Sequence, residues 1–128
     1  MPQRKYADTD FFLALLKKSD WLKESAQRIY QQHANEIYVS PFTVAELMII
    51  CKRENIPLRE TLLHISRIAK LENFSWDTFS RSCDFIEQGA TIFDSLLMAL
   101  CSENDQIISS DNMYEKFGFS VLDLKHSK

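Results

Sequence analysis

The sequence predicts an α/β fold in which a mostly parallel sheet is covered by helices on both faces. Three observations carry this prediction. Short strand-like runs recur along the chain, helical patterns separate them, and only two Gly and three Pro interrupt 128 residues of which 45% are apolar. Strands that alternate with helices favour parallel pairing, because each connection must cross a face of the sheet.

Arg4-Lys5-Tyr6-Ala7 is the first predicted strand, identified mainly because Asp8-Thr9-Asp10 then opens an apolar helix over 11–16. Ser19-Asp20 starts a second helix, with Leu22, Ala26, Ile29, Tyr30 and His33 on one face and His33 at its wet end. Glu36-Ile37-Tyr38-Val39-Ser40 is the second strand, stopped by Pro41. A helix follows over 43–53 with Val44, Leu47, Met48 and Cys51 as its inner stripe, and Asn55 breaks it. Pro57 begins another, in which Leu58, Leu62, Ile65 and Ala69 recur, so that two adjacent helices interrupt the strand alternation. Asp77 is placed to cap a helix reaching Gln88, and Gly89 to end it in the left-handed conformation. The next helix, over 89–101, is apolar on nearly every side and is expected to be buried. Residues 106–109 form a third strand, Asp111 caps a short helix over 113–117, Gly118 ends it, and 120–122 is the last strand.

The length suits one domain over 1–128, since domains usually take roughly 100 to 200 residues. Internal repeats and low-complexity segments are absent from the sequence. The run over 11–16 is too short, and its approach too acidic at Asp8 and Asp10, for a signal peptide or a membrane span, so no membrane role is expected. Cys51, Cys83 and Cys101 are odd in number and lack C-x-x-C spacing, which reads as buried free thiols in a reducing cytoplasm. A net charge of −3 and a pI of about 5.6 argue against a protein that coats nucleic acid with a general basic surface; any such site must be local.

Asp94 is the only formal charge between Glu87 and Glu103. An ionised carboxylate in so apolar a helix is costly unless it is paired, hydrogen-bonded or bound to a metal. Three other acids hold comparable places: Asp8 after the first strand, Glu46 in the first turn of the helix after the second, and Asp111 after the third. Ligands of open α/β sheets bind beyond the carboxyl ends of the strands, where four such acids can meet in one cleft. Each acid also has a local explanation. Thr43 with Glu46 and Thr91 with Asp94 fit capping boxes, and Asp8 and Asp111 fit plain N-caps. As a group they ask for more, because carboxylates about 5 Å apart repel by about 3 kcal/mol per pair at an effective dielectric near 20. Apart from these four acids the chain is almost neutral, so the negative charge is concentrated there. Oxygen ligands without His or Cys suit a hard cation such as Mg²⁺ or Mn²⁺, and helix N-termini favour the ionised carboxylates.

The residues now on view resemble the PIN domain family, and within it the small single-domain VapC-like toxins. Tyr6-Ala7-Asp8-Thr9-Asp10-Phe11 is similar to the family's opening strand followed by Asp-Thr-Asn, and Val39-Ser40-Pro41 through Glu46 to its second strand and Glu-bearing helix. Gly89 through Ala99 is similar to its Gly-x-x-x-x-Asp-Ala-x-x-x-Ala segment, and Ile108-Ser109-Ser110-Asp111 to its Thr-x-Asp. Asp10 stands where Asn is usual and either adds an acid to the site or caps the first helix, the cap being favoured; Ser95 and Ser109 replace Ala and Thr, the hydroxyl being kept in the second case. The resemblance implies an α/β/α sandwich and a metal-dependent ribonuclease. Asp8, Glu46, Asp94 and Asp111 would carry Mg²⁺ or Mn²⁺, with Thr9 and Ser109 as donors behind them. It also implies a small antitoxin protein as partner, and long apolar helix stripes make a homodimer plausible.

Arg4, Lys5, Lys17, Lys18, Lys52 and Arg53 are placed to reach phosphates but read mostly as solvated surface. The Phe residues, Trp21 and Trp76 read as core or subunit contact, and His64 as surface or interface. Two other functions fit parts of the sequence. Asp8-Thr9-Asp10 also matches the opening of haloacid-dehalogenase-like phosphatases, but the downstream Lys and the Gly-Asp-x-x-x-Asp segment are missing in the expected form. The other is a PIN-like module that grips RNA or protein without turnover.

Overall fold

Lys5–Ala7 forms strand β1, and Asp8 caps helix α1 (Thr9–Leu16) by accepting the Thr9 N–H. The computed structural model describes residues 3–125; positions 1–2 and 126–128, the ends of the single domain expected over 1–128, lie outside that range. Helix α2 (Lys23–His33) leads to β2 (Ile37–Val39), and α3 (Pro41–Glu54) and α4 (Leu58–Ile68) to β3 (Lys70–Leu71). Helices α5 (Trp76–Glu87) and α6 (Ile92–Leu100) precede β4 (Gln106–Ser109), α7 (Met113–Lys116) and β5 (Ser120–Asp123).

The five strands are all parallel, in the order β3-β2-β1-β4-β5. Alternation along each strand sends its side chains to two separate cores. Ala7, Ile37, Val39 and Ile108 face a cluster built with Phe11, Phe12, Ala26, Ile29, Leu47 and Ile65 of α1 to α4. Tyr6 and Ile107 face a second cluster with Leu97, Met98 and Tyr114 of α6 and α7. This is the expected α/β/α sandwich. The chain winds outward from β1 through β2 to β3 and resumes at β4 on the other side of β1, so β1 and β4 flank the switch point of the sheet.

Several boundaries depart from the sequence reading, each for a local reason. Helix α3 starts at Pro41 rather than Thr43, because the Ser40 hydroxyl accepts the Phe42 N–H and Pro suits the first turn. Thr43 is therefore inside the helix, and Glu46 lies beyond its first turn and is no capping-box partner. Ser75, not Asp77, caps α5, and Asp20 accepts the Leu22 N–H in a turn before α2. Strand β3 was not foreseen: two exposed residues offer no apolar alternation, and only backbone pairing with Tyr38 and Val39 defines them. Asn55, by contrast, ends α3 with φ +57°, and Thr91 caps α6 by accepting the Asp94 N–H, as the sequence implied.

Burial corrects other expectations. Helix α6 is buried only from Ser95 to Ala99, while Ile92 and Phe93 in its first turn are exposed. Trp21 and Trp76 are largely exposed rather than core. Cys51 is buried, but Cys83 is exposed and Cys101 partly so. Lys5 is buried and pairs with Glu36 at 3.1 Å, so it is not a phosphate contact.

Lys23 closes the C-terminus of α1, its ammonium donating to the carbonyls of Leu15 at 2.9 Å and Lys17 at 2.7 Å. A cation there complements the helix dipole as well as the unpaired carbonyls. Lys23→Met is expected to lower stability by about 1–2 kcal/mol, read as a lower urea midpoint with an unchanged slope.

Candidate metal centre

The carboxyl ends of β1 and β4 are tied by the Asp8 N–H donating to the Ile108 carbonyl at 3.0 Å, which sets Asp8 beside the loop that follows β4. Both oxygens of Asp8 accept hydrogen bonds there. Its Oδ1 accepts the Thr9 N–H at 2.8 Å, and its Oδ2 accepts the Ser109 hydroxyl at 3.0 Å and the Tyr114 hydroxyl at 2.9 Å. Ser109 in turn accepts the Asp111 N–H at 3.0 Å, and Asp111 accepts the Met113 N–H at 2.9 Å, fixing the turn into α7. Asp94, in the first turn of α6, approaches from the second core: its Oδ1 lies 3.0 Å from the same Tyr114 hydroxyl.

Glu46 completes the group from α3. Its carboxyl is pushed up to about 7 by burial and then by the charges of Asp8 and Asp94. Asp8 is pushed up to about 6 by burial and then by the neighbouring charge of Asp10, against the pull of its hydrogen bonds. The charges of Asp8 and Asp94 thus act on Glu46, and that of Asp111 acts on Asp10.

Asp10, for which the sequence favours a helix cap over a place at the site, does not cap α1. Asp8 holds that position, and Asp10 reaches across to the loop after β4, where its Oδ2 accepts the N–H and the hydroxyl of Ser110. Its Oδ1 is buried without a partner among the described residues, and burial raises its pKa. Tyr114, on the four-residue helix α7, is a further residue that the sequence reading does not single out. The signal was available in principle, since a phenol in an apolar helix face needs a partner for its hydroxyl. Thr9 contributes its backbone N–H to Asp8.

An orphaned carboxylate oxygen, acids raised by burial and then by one another, and an all-oxygen donor set fit a hard divalent cation. As the side chains stand, no three His, Cys, Asp or Glu groups among the described residues converge closely enough to hold one ion. The carboxylates are instead turned onto hydroxyl and backbone donors.

The chain belongs to the PIN domain family, whose sequence model matches residues 5–120. Among solved structures it is similar to a toxin–antitoxin complex from Klebsiella pneumoniae, at 16% identity and TM-score 0.76, over 94% of this chain and 97% of that one. It is also similar to the sarcin-ricin loop cleaving toxin VapC20 of Mycobacterium tuberculosis, at 15% identity and TM-score 0.73, over 90% and 95%. DNA-bound VapBC from Salmonella typhimurium gives 13% identity and TM-score 0.71, over 96% and 99%. At such identities the likeness is one of fold. A search of curated protein sequences gives no match.

Proposed function

We propose that this chain is a metal-dependent endoribonuclease and the toxin of a toxin–antitoxin pair. The observation that carries the reading is the Tyr114 hydroxyl shared by Asp8 of the β1 end and Asp94 of α6 at the switch point of a PIN sheet, with Glu46 of α3 within reach of both charges and Asp111 linked to Asp8 through Ser109. The similar folds of an RNA-cleaving toxin and of toxin–antitoxin assemblies support it. Family membership leaves the phosphatase reading without support.

Asp8, Asp94 and Asp111 would hold Mg²⁺ or Mn²⁺ directly or through water. Such ions, when bound, supply an activated water and charge neutralisation at a phosphodiester. Glu46 serves as a further ligand or as the base that orients the water, a role that its raised carboxyl suits near neutral pH. Ser109 fixes Asp8 and the Asp111 turn at once.

The partner chemistry follows from charge and exposure. An acidic cleft suits an inserted Arg from a small antitoxin, which would compete with the cation. Exposed Ile49, Leu63, Ile92 and Trp76 are surface that an antitoxin or a second copy would cover. No helix among the described residues is long and apolar enough to cross a membrane, and the reading places the protein in the cytoplasm.

One observation favours the rival reading of a non-catalytic binding module, namely that no three acids converge as they stand. The deciding experiment is cleavage of a mixed RNA pool with Mg²⁺ or Mn²⁺, comparing wild type, Asp94→Asn and EDTA, with cut sites read out. Internal cuts that need both the ion and Asp94 are expected. RNA retained but intact under every condition would establish the binding module instead.

A further inference from the structure

We propose that Tyr114 is a positioning residue whose hydroxyl aims Asp8 and Asp94 at a shared cation. The proposal rests on the metal-centre reading above. Tyr114 is fully buried, its ring in the cluster of Leu97, Met98 and Ile107, and its carbonyl accepts the N–H groups of Phe117 and Phe119. The ring is thereby fixed from below and from behind. Its hydroxyl emerges between two carboxylates that belong to different layers of the sandwich, Asp8 at the end of β1 and Asp94 on α6.

A phenol has one hydrogen to donate, and two carboxylate oxygens lie at 2.9 and 3.0 Å from it. Sharing that hydrogen holds together two groups that would otherwise repel. Among the described residues it is the one hydroxyl that touches both. The count of lone pairs shows what the clasp leaves free. Asp8 Oδ2 is occupied by Ser109 and Tyr114, while Oδ1 takes only the Thr9 N–H and keeps a lone pair. The second oxygen of Asp94 lies outside the clasp. A donor that fixes one oxygen of a carboxylate and leaves the other open is how outer groups orient metal ligands.

Ser109 cannot substitute for this role. It reaches Asp8 and the Asp111 N–H, which follow the carboxyl ends of β1 and β4, and makes no link to α6. Without the phenol hydroxyl, α6 and the end of β1 would present their carboxylates independently, and a cation would have to draw them together against their repulsion.

The test is isothermal titration of the full chain with Mn²⁺, comparing wild type with Tyr114→Phe, which keeps the ring and removes only the hydroxyl. An affinity roughly 10- to 100-fold weaker, with an unchanged circular dichroism spectrum and RNA cleavage recovered at saturating Mn²⁺, is expected. A role in packing alone would lower the melting temperature and leave the Mn²⁺ affinity untouched. A folded Tyr114→Phe with wild-type affinity overturns this proposal alone. A wild type that binds no Mn²⁺ overturns the proposal together with the metal-centre reading. Should Tyr114→Phe fail to fold, ¹⁹F NMR of the wild-type chain carrying fluorotyrosine decides. The Tyr114 signal, assigned against Tyr6→Phe, Tyr30→Phe and Tyr38→Phe, is expected to shift as Mg²⁺ binds, and a signal that stays fixed to saturation overturns the proposal.

Discussion

Glu46→Gln is expected to lower the turnover of RNA cleavage by about 100- to 10,000-fold, the range found when a positioned base is lost. The substitution is clean because Glu46 takes no part in starting α3, which Ser40 caps. Gln keeps the size and helix preference of Glu, and it removes a charge that Asp8 and Asp94 oppose. The metal-free variant should therefore melt no lower than wild type while cleaving far more slowly. Full activity in a preparation free of contaminating nuclease would remove Glu46 from the site. A melting temperature well below wild type would show instead that its carboxylate is structural.

Raising the pH from 5 to 8 in EDTA is expected to destabilise the fold. Asp8, ordinarily near 3.8, is pushed up to about 6 in the folded chain, and Glu46 to about 7. Between the unfolded and folded values the native state binds more protons than the unfolded state, so stability falls as pH rises through that window. The contribution is complete below about pH 4 and lost above about pH 7. Asp8 alone accounts for about 1–3 kcal/mol, and half-exposed Glu46 adds less because solvent screens it. A fall of about 4–10 °C in melting temperature between pH 5 and pH 8 follows for a chain of this size. Saturating Mg²⁺ should flatten or invert the slope, because a cation bound only to the folded state favours the ionised carboxylates. A melting temperature that rises with pH in EDTA would mean that these carboxylates are already compensated.

The sheet and most helices were legible because they rest on patterns of period two or near 3.6. Tyr6 and Ala7, adjacent in sequence, enter opposite cores as strand geometry requires, and Thr91 marks the start of α6 through a local hydrogen bond. What stayed hidden depends on distant partners. Strand β3 exists only because β2 offers Tyr38 and Val39 to pair with. Asp10 looks like a cap until the loop after β4, a hundred residues away in sequence, brings Ser110 to it. The sequence reading does not single out Tyr114, at whose hydroxyl two acids from separate layers meet. The sequence reading groups the four acids because each is expected after a strand or in the first turn of a helix, a placement that holds for Asp8, Asp94 and Asp111 and fails for Glu46, since α3 starts at Pro41. The donors that aim them could not be grouped so, since nothing local marks a hydroxyl as the neighbour of a carboxylate a hundred residues earlier.

The bond from Asp8 to the Thr9 N–H makes one side chain both the starting point of a helix and a prospective ligand. Alanine is then a poor choice for an inactive control at this position. It would remove the cap, at about 0.5–2 kcal/mol, along with the charge, and lost cleavage could not be told from partial unfolding. Asn caps as well as Asp does while carrying no charge. Asp8→Asn is accordingly the substitution to use when a catalytically dead chain must still be folded enough to capture its RNA or its partner.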